Sequence, residues 1–182
     1  SEEEKVEKEL RDLVREDDRR LREVEERVRK VVKEAEDDHR RVKEDIRRMV
    51  EEIRKKLDKD GKSDRIAREL DELLKRLEER LREVEKRSKE LNEKLKREIE
   101  KVHEENKKLL DEIRKRLEDA TRRGTSSERL EDEVRKVEDR SRRMNERIDE
   151  RLKRVEEESK KAIEELRREL ERVKREVEER KR

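Results

Sequence analysis

The apolar residues of this chain recur in steps of 4, 3, 4, 4 and 3, after which the cycle begins again. In the first third they fall at Val6, Leu10, Leu13, Leu21, Val24, Val28, Val31, Ala35, Val42, Ile46, Met49, Ile53 and Leu57, with Asp17 and His39 at the two remaining positions of the count. The middle third repeats the steps from Ile66 to Ala120, with Ser88 and Asn106 as its polar exceptions, and the last third from Leu130 to Val177, with Ser141, Asn145 and Ser159. Five steps span 18 residues, which is five turns of α-helix at about 3.6 residues per turn. The chain therefore reads as three long helices, each with one narrow apolar stripe.

Two glycines mark where the helices stop. Gly61 lies in Asp58-Lys59-Asp60-Gly61-Lys62-Ser63 and Gly124 in Arg122-Arg123-Gly124-Thr125-Ser126-Ser127, each placed as a glycine just past a helix end with a serine cap opening the next helix. No breaker occurs elsewhere, so helices are expected over about 2–59, 64–122 and 127–181, each roughly 85 Å long at about 1.5 Å per residue. A stripe this narrow is covered by two neighbours, and short connections make sequential helices antiparallel. The expected fold is all-α: one elongated, single-chain, antiparallel three-helix bundle, up, down, up, spanning 1–182. A repeat of 3.6 residues per turn leaves the helices nearly straight, whereas a heptad repeat imposes a left-handed supercoil.

Composition first challenges this picture and then supports it. Of 182 residues, 66% are charged and 25% hydrophobic, a balance at which chains often fail to offset conformational entropy. Disorder and a lone solvated helix both require unordered apolar residues, and these are ordered throughout. With 61 basic and 59 acidic side chains the net charge is +2, and doublets such as Arg19-Arg20 and Arg40-Arg41 are interspersed with acids, so no one-sided basic stripe offers itself to nucleic acid. Pro, Cys, Phe, Tyr and Trp are absent, which excludes a disulfide framework, a cysteine zinc site and aromatic stacking platforms. No apolar run approaches membrane-spanning length, and the chain is expected to be soluble.

In these features the whole chain resembles computationally designed, parametrically generated helical bundles. The resemblance rests on the unbroken 18-residue core repeat, glycine confined to connections, absence of proline, serine-capped helix starts, and surfaces of Glu, Lys, Arg and Asp. It implies a structural scaffold without natural biochemical function. The alternative is an interaction module that oligomerises or accepts a partner helix.

The polar residues on the stripe are the candidate functional positions. If Leu57 pairs with Ile66, antiparallel partners in the first two helices have numbers totalling about 123; if Leu117 pairs with Leu130, partners in the second and third total about 247. Asp17, Asn106 and Ser141 then share a cross-section, with His103 and Asn145 one layer away. Ala35, Ser88 and Ser159 share another, with His39 and Asn92 one turn from it and Ala35 leaving room for the His39 ring. The expectation is two buried hydrogen-bond networks: Asp17, His103, Asn106, Ser141 and Asn145, with Asn106 as donor to Asp17; and His39, Ser88, Asn92 and Ser159. A buried polar group without a partner costs about 1 to 3 kcal/mol, so such layers penalise wrong alignments.

Neither catalysis nor metal binding is expected. Glu36 with His39 and Glu100 with His103 both spell Glu-x-x-His, the ligand spacing of di-metal bundles, but the two histidines are expected roughly 28 Å apart along the axis and cannot share a metal. Asp17 beside His103 has the residue types of an acid-base pair without an expected cavity for substrate. No catalytic, cofactor or metal residues are assigned, and no partner is required. The expected state is a monomer. Val14, Val32 and Val50, with Leu74 and Leu110, widen the stripe; they close the seam between the first two helices or form a groove for a further helix. Met49 and Met144 read as gap fillers.

A crystal structure should show nearly straight helix axes. A consistent left-handed crossing near 20° along all three helices would refute the reading of the 18-residue repeat.

Overall fold

Three helices carry the chain: α1 (Glu2–Leu57), α2 (Asp64–Arg122) and α3 (Glu128–Lys181). The computed structural model describes residues 2–59 and 64–181, with the side chains of residues 2, 3, 6 and 181 excepted; the expected cap at Gly61 and Ser63 and the core role of Val6 lie outside the described residues.

The end of α2 shows how the sequence sets a boundary. Gly124 takes φ +70°, its N–H bonds to the Thr121 carbonyl at 3.2 Å, and the Thr125 N–H reaches back to the Ala120 carbonyl at 2.9 Å. This pair of bonds is the Schellman arrangement, which satisfies helix-end carbonyls and needs a residue free of a Cβ penalty at positive φ. Ser127 Oγ then accepts the Leu130 N–H at 3.2 Å, capping α3. α1 ends at Leu57, two residues short of expectation, where its last bonds shorten to a tighter turn from the Lys59 N–H to the Lys56 carbonyl.

Contacts gather into two units, each holding a stretch of all three helices. Unit 1 comprises Ser1–Val31 with Lys94–Lys153, and unit 2 comprises Val32–Glu93 with Arg154–Arg182. In unit 1, Leu10, Leu13, Leu109, Ile113, Leu130, Val134 and Val137 form one buried cluster. In unit 2 a larger cluster runs from Ile46, Val50 and Ile53 through Leu70 to Val84 and on to Leu170, Val173 and Val177. Among the described residues, every buried hydrophobic side chain lies on the predicted stripe except Val50, one of the widening positions. Val14 and Leu110 pack against the unit 1 cluster and Leu74 against that of unit 2, where Val50 turns towards α3 instead of the expected α1–α2 seam: Arg54, one turn on, pairs with Glu169 and Glu176. No large hydrophobic side chain is exposed among the described residues.

Ion pairs beside the stripe report the alignment of neighbours. In unit 2 the α1–α2 pairs are Lys56–Glu69 at 2.8 Å, Asp45–Arg80 at 3.1 Å and Asp38–Arg87 at 2.8 Å; in unit 1 the corresponding pair is Glu9–Arg116 at 3.1 Å. In all four the residue numbers total 125, the signature of antiparallel helices in constant register. Between α2 and α3 the totals are 252, from His103–Asp149 and Arg114–Glu138 in unit 1 and from Glu85–Arg167 and Glu78–Lys174 in unit 2. α1 and α3 run parallel, joined by Asp18–Arg140 in unit 1 and Arg54–Glu176 in unit 2, each 122 residues apart in number.

Ile53 is fully buried. Replacing it by Ala should cost about 2 to 5 kcal/mol, the range for truncating a buried Ile or Leu. Gly124→Ala should cost about 1 kcal/mol through its positive φ alone, since nothing lies within 4 Å of the added methyl. Arg65→Ala, at an exposed site, should change stability by less than about 0.5 kcal/mol. Guanidinium denaturation midpoints rank the three.

Candidate functional site

The 18-residue repeat makes three positions on each helix equivalent: Asp17, Ala35 and Ile53 on α1; Asn106, Ser88 and Leu70 on α2; Ser141, Ser159 and Val177 on α3. One layer is wholly apolar, with Ile53, Leu70 and Val177 in a single buried cluster of unit 2. The other two carry polar groups at the same places. They are the sites the sequence singles out.

In unit 1, Asp17, Asn106 and Ser141 are all buried, at 1%, 6% and 0% exposure. Asn106 Nδ2 donates a short hydrogen bond to Ser141 Oγ. The amide nitrogen therefore serves α3, and the expectation that it donates to Asp17 is corrected. Asp17 Oδ2 and Asn106 Oδ1 are both buried without a hydrogen-bond partner. The two guanidinium groups whose charge reaches Asp17 are engaged elsewhere: Arg140 binds Asp18, and Arg20 binds Glu16 at 3.1 Å. Burial and the Asp18 charge, only partly offset by Arg140 and Arg20, push the Asp17 carboxyl up to about 6.

His103 and Asn145 are half-buried and stand at the edge of this layer. His103 Nε2 lies 2.9 Å from Asp149 Oδ1, a partner one turn beyond Asn145 on α3. Its Nδ1 and Asn145 Oδ1 are buried without hydrogen-bond partners. Sequence reasoning missed Asp149; the clue lies in spacing, since Asp149 follows Asn145 by four residues and so faces the same way.

In unit 2, Ser88 and Ser159 are buried, whereas His39 and Asn92 are half-buried. With Ala35 they line a cavity of about 20 Å³, closed on one flank by Asp38 and Arg87. That volume suits one water-sized group and no substrate. His39 Nε2 is buried there without a partner. Asn92 occupies the 18-residue equivalent of Leu74 and Leu110.

Two larger open clefts lie in unit 2. One of about 740 Å³ runs over Ile46, Val50, Ala162 and Leu166 between α1 and α3; one of about 550 Å³ follows the α1–α2 seam around Asp45 and Arg80. Neither includes Asp17 or His103. Among the described residues no group of three or more His, Cys, Asp or Glu side chains gathers to hold a metal, and no helix is long and apolar enough to cross a membrane.

The seams also carry shifted carboxyls of the opposite kind. The Arg167 hydrogen bond holds Glu85 below the usual carboxylate range, and the Lys56 hydrogen bond does the same for Glu69.

No protein-family model matches the chain, and no curated protein matches it. Among solved structures, a computationally designed three-helix bundle aligns with a TM-score of 0.44 and 19% identity, covering 98% of this chain and 87% of that one.

Because the Glu85 carboxyl is depressed on folding, its pair with Arg167 stabilises above the ordinary glutamate range and loses that contribution as pH falls through the lowered value. Arg167→Met should reduce stability at pH 7 and do so less at pH 3, as urea denaturation at low salt can measure.

Proposed function

We propose that this chain is a structural scaffold, a designed single-chain bundle with no catalytic role, in which buried polar layers hold the three helices in register. The observation that carries the reading is the Asn106–Ser141 hydrogen bond, placed where the same repeat elsewhere holds Leu70 and Val177. Apolar side chains demonstrably fill that geometry, so stability alone does not call for Asn and Ser there. Their effect is on alternatives. A slip of one turn that sets Asn106 opposite Val137 also sets Ser88 opposite Val155, and each polar group that loses its partner in the core costs about 1 to 3 kcal/mol. The remaining residues of the two layers, Asp17, His103 and Asn145 with the first and His39, Ser88, Asn92 and Ser159 with the second, belong to the same scheme.

The reading as an acceptor of a partner helix draws no support from Val14, Val50, Leu74 and Leu110, which pack within the clusters of the bundle itself. A monomer of 22.7 kDa in light scattering fits the scaffold, and a concentration-dependent dimer contradicts it.

The apolar layer supplies the template for the decisive variant. Asp17→Ile, Asn106→Leu and Ser141→Val together should leave the protein as stable or more so, since exchanging buried polar groups for packed apolar ones is often neutral or favourable. Spin-label distances between α2 and α3 should broaden in the triple variant and stay narrow in the parent. Equally narrow distributions in both would overturn the register role.

A further inference from the structure

The unit 1 layer leaves two buried acceptors without a donor. Asp17 Oδ2 and Asn106 Oδ1 are both acceptors, both are buried, and both lack a partner, while the Asn106 amide nitrogen is turned to Ser141. The charged groups around Asp17 do not supply a donor. On α1, Asp18 repels a second negative charge and Arg20 binds Glu16; on α3, Arg140 binds Asp18; on α2, His103 turns its Nε2 to Asp149. One hydrogen atom shared by the two oxygens would give each the partner it lacks.

We propose that this layer is a proton-binding site: Asp17 takes up a proton on Oδ2 and donates it to Asn106 Oδ1, completing a chain from Asp17 through Asn106 to Ser141 that fixes the orientation of the Asn106 amide. The proposal rests on reading these residues as one polar layer. The proton is the ligand, and the amide is the element that responds to it. When the proton leaves, the carboxylate accepts two-centre donation only if the Asn106 side chain turns over, directing Nδ2 to Asp17 and leaving Oδ1 to accept the Ser141 hydroxyl. The layer thus has two satisfied arrangements separated by one proton and one amide rotation.

The elevated carboxyl of Asp17 agrees with this geometry. Its sign is the reverse of ordinary acid lability. A carboxyl whose folded-state value is raised contributes stability that is fully present below the unfolded value, near 3.8, and is lost as pH rises through about 6. Unit 1 is therefore tightest in mildly acid solution, until the seam carboxylates are themselves protonated.

Carbon-detected NMR on the full chain, with carboxyl and side-chain amide labels, tests the proposal directly. The Asp17 carboxyl carbon, assigned by its loss in Asp17→Asn, should titrate about two pH units above the exposed aspartates, and the Asn106 side-chain amide resonances should shift with the same midpoint. In Ser141→Ala the amide is released from α3, free to serve the carboxylate, and the Asp17 midpoint should fall towards the ordinary range. An Asp17 midpoint in that range in the parent chain, or Asn106 resonances that do not follow it, overturns the proposal. Should Ser141→Ala fail to fold, the paired titration in the parent decides alone. Failure of the register role appears in the spin-label distances of the triple variant, which lacks Asp17 and so is blind to the titration.

Discussion

Everything in this protein follows from the need to cover an apolar stripe that is barely one side chain wide at each turn. With two thirds of the chain charged, no second apolar face exists on any helix, so burial is obtained only where three stripes meet. That requirement accounts for the buried set, which among the described residues departs from the predicted positions only at Val50. It also accounts for the widening residues. Val14 and Leu110 in unit 1, and Val50 and Leu74 in unit 2, extend the apolar contact by one position on each helix.

The charged shoulders of the stripe work through what they forbid. A single exposed ion pair contributes about 1 kcal/mol or less, and several of these have arginines more than half exposed. Constant totals of 125 and 252, however, mean that any slip breaks many pairs at once. The α2–α3 seam adds a reversal: in unit 1 the basic partner lies on α2, at Arg114, and in unit 2 the acids Glu78 and Glu85 lie there. Opposite polarity in the two halves of one helix opposes alignments that would bring like charges together.

Helix identity, the end of α2 at Gly124, and the meeting of Asn106 with Ser141 were all legible from spacing, because periodicity locates a residue to within a fraction of a turn. Spacing says nothing about which end of an amide points where, and the donation of Asn106 Nδ2 to Ser141 instead of Asp17 is such a choice. His103 was unreadable for a related reason. It stands beside the stripe, so its direction is set by rotamer, and its ring reaches Asp149 outside the layer that the totals describe. The half-burial of His39 and Asn92 has a packing origin: Ala35, Ser88 and Ser159 are all small, and a layer of small side chains leaves neighbouring positions less completely covered.

The equivalence of Asp17, Ala35 and Ile53, and of their counterparts on α2 and α3, makes the 18-residue block a unit of length. Five whole turns return a helix to its starting azimuth, so removing or adding one block in all three helices leaves each stripe facing its neighbours and both connections untouched. Thickness of the polar and apolar strata is then an editable quantity, independent of the turns that join the helices. A series of chains shorter or longer by whole blocks would form a ladder of molecular spacers with identical ends.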